Sequence, residues 1–491
     1  MATRIAVDLG SSGLLALEGR LSGGQLDVQS LGRFDRPTRW SENGFVWDRE
    51  QVTDHIGRAL SRACRDGDSI ESVAIDTPAN DIGLVRNGAV VQDPYFYQDP
   101  ALRELTAEIT ETISRRELFE LTGSRRTPNA YVRLCGDSSS LTPPTDTVVP
   151  LPQLLSVCIG GQPRTEPTMA STTGLFNVHD GTWAERVLEA LDLPAGPLAP
   201  IGSVGEQLGT VSLPGNSLGR SDIDIIMLPG HDTASAVAAL PLTGSNGVFL
   251  CTGSWLVPGI ELAAPVTSEA AFRAGATNEA GVDGTVRFVR NLPGFALLED
   301  CREEWRESGQ SHAYEELLER AESRQVTALI DPAHPLMYKG LMEGDVREKV
   351  ATLCRHTDQP VPDDPGAVTS CLVRSLAVRG AVALDQLTDC AGVEFDRIHL
   401  CGGGMRNQLF CRTLAAAAGR LVISGPTEAT GYGNLLLQFR SAGVIDSLST
   451  ARSVVDRSVS FDRYRPCESL ELDDAMSHMR SVMASLDEGS Q

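Results

Sequence analysis

Apolar residues recur along the chain at two alternating spacings. Residues 4–10 (RIAVDLG) form a short apolar run ending in Asp-Leu-Gly, the pattern of a buried strand entering a turn. Strand-like runs follow at 14–19 and 26–33. The spacing then becomes helical over 49–64, with Val52, Ile56, Ala59, Leu60 and Ala63 on one face. Residues 71–76 (ESVAID) return to a strand that again ends on an acid. Three strands, a helix and a further strand predict a layered α/β domain. A helical stretch over about 99–122, a Pro/Thr/Ser-rich patch at 137–150 and a strand at 224–228 complete the first half.

The second half opens in the same way. Residues 247–255 (GVFLCTGSW) are an apolar strand running into a hydroxyl-rich turn, followed by strand patterns at 256–263 and 285–291. Helical patterns occupy 294–308, 313–323, 343–357 and 366–391. Residues 397–401 (RIHLC) enter Gly402-Gly403-Gly404, with a helix beginning near Asn407 and another over 431–442. The tail beyond Glu468 is acidic and expected to fray. Halves that both begin as strand, small-residue turn, strand predict a duplicated α/β domain, with its boundary near 240–246 (LPLTGSN).

Composition narrows the function classes. A chain of 491 residues exceeds what one hydrophobic core supports, so at least two domains are expected. The net charge of −23 argues against non-specific nucleic-acid binding, which needs Lys and Arg to neutralise phosphates. No window reaches the roughly 18 consecutive apolar residues of a membrane span. The N-terminus enters a strand at once, so neither a membrane partner nor secretion is expected. Eleven scattered cysteines with no CxxC pair read as free thiols in a reducing cytoplasm, without the ligand spacing of a zinc site.

Several constellations carry candidate chemistry. Asp8-Leu9-Gly10-Ser11-Ser12-Gly13 reads either as a tight hairpin or as a turn whose backbone N–H groups approach phosphate oxygens, with Asp8 positioning a metal. Thr252-Gly253-Ser254 is the corresponding turn of the second half, with the same two readings. In Pro229-Gly230-His231-Asp232-Thr233, Asp232 reads as a helix N-cap or as a carboxylate that accepts a proton from an attacking hydroxyl. Gly402-Gly403-Gly404 before Asn407 allows close approach to a nucleotide, though without the spacing of a dinucleotide fold. Asp76, Thr77 and Asp81 in one segment, and Thr277, Asn278, Glu279, Arg287 and Asn291 in another, suit sugar binding or solvated loops equally.

Together with DLGSSG, the segments IDTPANDIGLV (75–85), EPTMASTTGLF (166–176), GHDTASAV (230–237), TNEAGVDGTVRFVRN (277–291), CGGGMRNQLF (401–410) and GPTEATGYGN (425–434) resemble the FGGY carbohydrate kinases, in particular their rhamnulokinase-like branch. The resemblance spans nearly the whole chain. It implies two RNase-H-like domains of the actin-like ATPase fold around a central cleft. An N-terminal domain (1–242) would carry the sugar and the base, a C-terminal domain (243–465) the ATP, and 466–491 would be an acidic tail. Asp232 matches the catalytic base and Asp8 the metal-associated aspartate, with Mg²⁺ arriving with ATP. Gly10, Ser11, Ser12 and Gly13, then Thr252, Gly253 and Ser254, match the phosphate loops. Gly402, Gly403, Gly404 and Asn407 match the adenosine-binding loop. Asp76, Thr77, Asp81, His231, Asn278 and Asn291 are the implied sugar contacts. A cytoplasmic monomer or homodimer acting on a small ketose and ATP is expected, without nucleic acid or membrane.

Three departures bear on that expectation. Leu14 stands where relatives usually carry a basic residue, Pro78-Ala79-Asn80 replaces the Trp-Gly-Val usual in rhamnulokinases, and Gln98 stands where arginine is common. The substrate pocket is therefore expected to differ, and L-rhamnulose, L-fuculose and pentuloses all remain candidates. A catalytically weak sugar or nucleotide sensor of the same fold is the alternative. An actin- or chaperone-type ATPase is a third reading, disfavoured by the polar clusters at 76–81 and 277–291.

Overall fold

The structure is a computed structural model that describes every residue except 1, 11, 43, 66–68, 138–140, 144, 214–221, 243–246, 325, 339–344, 467–473 and 489–491. It divides into two compact units that interleave along the chain. The first unit comprises Met1–Pro241, Glu261–Phe288 and Glu428–Ser460; the second comprises Leu242–Ile260, Val289–Thr427 and Phe461–Gln491. Ser11 and residues 243–246 of the expected boundary lie outside the described residues.

The first unit is built on a six-stranded sheet in the order Gln207–Thr210, Asp224–Ile226, Ile70–Asp76, Thr3–Gly10, Gly13–Ser22, Gln25–Asp35. The strand Thr3–Gly10 runs parallel to Ile70–Asp76, which runs parallel to Asp224–Ile226. The two strands after Thr3–Gly10 fold back antiparallel. The alternation of RIAVDLG buries Ile5, Val7 and Leu9 in one core with the helix Arg49–Arg65, whose Val52, Ile56, Ala59, Leu60 and Ala63 all lie in that core. The second unit repeats the logic. Its strand Gly247–Thr252 lies beside Trp255–Leu262 on one edge and is parallel to Arg397–Cys401 on the other, which is parallel to Leu421–Ser424.

Two expectations need correction. The stretch 99–122 is two helices, Pro100–Thr112 and Arg115–Thr122. Ser114 ends the first by capping the second, accepting from the Glu117 N–H at 3.1 Å, and the Ser-x-x-Glu sequence is the signal. The tail does not fray where it is described: Ala475–Glu488 is a helix that buries Met479, Val482 and Leu486. The helix Pro365–Ala391 is, by length and composition, apolar enough to cross a membrane. It is instead the central core helix of its unit, with 94% of its apolar window buried.

Candidate active site

In the first unit, the carboxyl ends of three neighbouring parallel strands bring three aspartates together. Asp8 and Asp76 are direct register partners on adjacent strands. Asp232 begins the helix Asp232–Ala239 just after the third strand. The chain reaches Asp232 through a braced loop. Glu166, itself buried, accepts from the N–H groups of Thr168, Met169 and Gly230 at 2.7–3.0 Å. Thr77 N–H donates to Gly230 O at 2.8 Å, and Asp232 N–H donates to Thr77 O at 3.0 Å. Thr77 thus serves through its backbone, while its hydroxyl donates to Pro78 O.

The electrostatics of this cluster are unbalanced. Burial, then the negative charges of Asp232 and Glu428, raises the Asp8 pKa to about 7. Asp76 is fully buried and pushed well above the usual carboxylate range by burial and by Asp8, although Asn434 donates to its Oδ2 at 2.6 Å. Its Oδ1 has no hydrogen-bond partner among the described residues. Crowded carboxylates with an orphaned oxygen favour either a bound proton or a cation.

Asp232 is different, because its contacts are one-sided. Its Oδ1 lies 2.8 Å from His231 Nδ1 and accepts from Thr233 N–H at 2.5 Å and from Thr233 Oγ1 at 3.1 Å. Among the described residues Oδ2 makes no hydrogen bond, and the side chain is 30% exposed. His231, not Asp232, is the helix N-cap residue. One carboxylate oxygen is clamped and the other is open, the disposition a proton acceptor needs.

The other sugar-binding expectations separate. The segments for which sugar binding and solvated loops are equal readings are buried: Thr277, Asn278, Glu279 and Arg287 are at most 4% exposed, as are Asp76, Thr77 and Asp81. Asp81 accepts from the Trp47 indole at 2.5 Å, and burial raises its pKa well above the usual range against that bond and one from the Tyr97 main chain. Asn278 donates to Gly123 O and Val266 O and accepts from Val266 N–H, which commits both amide protons to bracing the backbone. His231 reaches Glu279 Oε2 through Nε2 at 3.3 Å, so both ring nitrogens face carboxylates. Asn291 lies in the second unit, where its carbonyl accepts from Tyr338. Sequence reasoning missed Trp47, Arg126, Glu166 and Asn434. The last two sit inside the quoted motifs, which mark them without revealing their partners.

Of the first turn, Gly10 and Gly13 pair across the hairpin and Ser12 is exposed, while Ser11 lies outside the described residues. In the second unit, Thr252 and the triple-glycine turn pack backbone against backbone. Gly402 has φ 84°, and a Cβ there would stand 2.4 Å from Thr252 O. At Gly404 a Cβ would meet the Phe295 ring at 2.2 Å, whereas at Gly403 it would meet nothing within 4 Å. Packing therefore explains two glycines, and Gly403 faces open space. Thr252 Oγ1 donates to Cys401 O at 2.7 Å, Gly253 N–H to Trp255 O at 2.8 Å, and the Ser254 carbonyl accepts from Gly294. Asn407 is buried and caps the helix Gln408–Ala418, accepting from Phe410 N–H at 3.0 Å. These contacts make Thr252 and Asn407 builders of the turn.

Comparison with known proteins places the chain in a family. Residues 142–238 match the N-terminal domain and residues 248–442 the C-terminal domain of the FGGY family of carbohydrate kinases. The rhamnulokinase of Bacteroides thetaiotaomicron is 32% identical over 97% of this chain and 99% of its own. The chain belongs to the FGGY carbohydrate kinases. Within the family it falls in the rhamnulokinase-like branch, since the rhamnulokinase of Bacillus subtilis is also 27% identical over 94% of this chain and 95% of its own. FGGY kinases use ATP to phosphorylate sugars, and this chain is a sugar kinase. Its fold is that of Plasmodium falciparum glycerol kinase with ADP (TM-score 0.78, 14% identity, 100% and 98% of the two chains covered). Lactobacillus acidophilus xylulose kinase shares it too (TM-score 0.76, 11% identity, 99% and 97% covered). This is the actin-like ATPase fold expected of the FGGY kinases.

Proposed function

We propose that the enzyme is an ATP:ketose phosphotransferase with Asp232 as its general base, acting in the cytoplasm on a small ketose related to L-rhamnulose, L-fuculose or a pentulose. The observation that carries this reading is the clamped and open pair of oxygens on Asp232. The open Oδ2 takes the proton of the sugar hydroxyl as that oxygen bonds to the γ-phosphorus. The bond between phosphorus and the β,γ-bridging oxygen breaks, and its electron pair leaves on ADP. Oδ2 later returns the proton to solvent. Phosphoryl transfer of this kind needs positioning and charge neutralisation more than covalent help from the protein.

The first unit supplies the base, and the second carries the nucleotide over Gly403. Asp8 and Asp76 fit a Mg²⁺ that arrives on the triphosphate. Their raised proton affinity and the orphaned Asp76 oxygen suit a cation, and no cluster of three or more ligating side chains is preformed among the described residues. When bound, the ion would neutralise charge on the phosphate oxygens. The rhamnulose candidate follows the resemblance to rhamnulokinases, which is expected to break at Pro78-Ala79-Asn80, where Asn80 adopts φ 78°.

A panel of ketoses, read by ADP release and by the mass of the product, tests the proposal. At least one should stimulate ADP release with a mass gain of one phosphoryl group. Asp232→Asn should keep the fold and the KM for ATP while lowering kcat roughly 10²–10⁴-fold. If folded protein binds ATP yet no ketose is phosphorylated, the sensor reading replaces this one. Near-normal turnover in Asp232→Asn removes Asp232 from the role.

A further inference from the structure

Behind Asp232, inside the first unit, runs a buried line of alternating charge. His231 Nδ1 lies 2.8 Å from Asp232 Oδ1, and its Nε2 lies 3.3 Å from Glu279 Oε2. The same Glu279 oxygen lies 3.2 Å from Arg287, and the other, Oε1, accepts from Arg126 at 3.1 Å. His231, Glu279 and Arg287 are buried. Thr233 N–H lies 3.2 Å from His231 Nδ1 and 2.5 Å from Asp232 Oδ1; the shorter contact claims that proton, which leaves Nδ1 to donate. With a carboxylate on each ring nitrogen both nitrogens donate, so the ring is the imidazolium, and the far carboxylate fixes its orientation.

We propose that Glu279 is a positioning residue: by accepting from His231 Nε2 it holds the imidazole with Nδ1–H on Asp232 Oδ1, so that Oδ2 alone receives the hydroxyl proton. The inference rests on the reading of Asp232 as base. No covalent bond changes at His231 or Glu279, and the single proton moves from the sugar hydroxyl to Asp232. The groups that face the ring are Asp232, Glu279 and Arg287, with Arg126 behind Glu279 and Glu166 holding the preceding Gly230. The charge states agree with this arrangement. Burial and Arg287 act to discharge His231, yet its hydrogen bonds to Asp232 and Glu279 outweigh them and raise its pKa. Burial likewise disfavours the Glu279 carboxylate, but Arg287, His231 and Arg126 hold its pKa well below the usual range.

Isosteric substitutions divide the imidazole into its two arms. His231→Asn keeps a donor at the place of Nδ1 and loses the arm toward Glu279. Glu279→Gln should lower kcat roughly 10- to 100-fold, the range known for carboxylate partners that orient metal-bound histidines, with the KM for ATP unchanged. His231→Asn should show a similar loss. In the His231→Asn background, Glu279→Gln should cost nothing further, because the path from Glu279 to Asp232 is already cut. Equal losses in both backgrounds, or an unchanged kcat in Glu279→Gln with a lowered Tm, would make Glu279 a structural brace and overturn the proposal. Should Glu279→Gln not fold, His231→Asn decides alone: a kcat near wild type refutes the positioning line. The test presupposes a turning-over wild type that Asp232→Asn disables. If either condition fails, the base reading has failed and the Glu279 inference falls with it, whereas the Glu279 and His231 outcomes above overturn the inference alone.

Discussion

Residues of one chemical type do different work here according to what surrounds them. Among the described residues, Asp232 keeps an open oxygen, Asp81 is occupied by Trp47, and Asp76 has one oxygen unpaired. Asp300, on the helix Ala296–Glu307 of the second unit, is a further case that bears on stability. Its Oδ2 is buried without a partner among the described residues, and burial, then Glu304, raises its pKa to about 6 from an ordinary 3.8. A carboxylate raised in this way contributes stability below about pH 4 that is lost as pH rises through 6. Asp300→Asn should therefore raise Tm by a few degrees at pH 8, on the order of 1–3 kcal/mol, with the gain vanishing near pH 4. A gain that is the same at both pH values would show that ionisation is not its source. The candidate acids, Asp8 and Asp232 among them, were legible in the sequence as residue types. Their partners were not, because Trp47, Asn434 and Arg126 reach them through space from distant segments.

At the scale of elements, two glycine-dependent approaches position the chemistry. The helix Ala429–Ser441 crosses the helix carrying Asp232 so closely that a Cβ on Gly433 would stand 1.8 Å from Ser235 O. In the second unit, the triple-glycine turn separates a packing requirement from an open face. Gly404→Ala should push against Phe295 and cost about 1–3 kcal/mol, visible as a lower Tm. Gly403→Ala should leave Tm unchanged and raise the KM for ATP several-fold, since nothing in the turn itself contests that space. An unaltered KM in a folded Gly403→Ala variant would place the nucleotide elsewhere. The strand-turn-helix order around these glycines was readable from local pattern, as was the Ser-x-x-Glu cap that splits 99–122, although the continuous apolar spacing there masked it. The buried strand Thr277–Ala280 was not readable, because its polar residues imitate a loop until their partners are in place.

For the whole molecule, each unit gathers segments that lie far apart in the chain, and the C-terminal helix is part of that closure. Met479 packs with Val378 and Val382 of the core helix Pro365–Ala391, and Val482 and Leu486 pack with Leu372 and Trp305. Ending the chain at residue 473 should lower Tm by at least about 5 °C, since each such side chain contributes about 1.5–3 kcal/mol on burial. An unchanged melt would make the helix dispensable. The chain alone determined the doubled strand-turn-strand plan, the glycine turns and the inventory of acids, because periodicity, turn geometry and side-chain chemistry act between near neighbours. Folding decided that Asp8 and Asp76 lie in register, that Glu428–Ser460 returns to the first unit, and that His231 is gripped between Asp232 and Glu279. Hydrogen bonds and charge act across space between segments that no spacing along the chain relates, and burial strengthens them only once the core has closed.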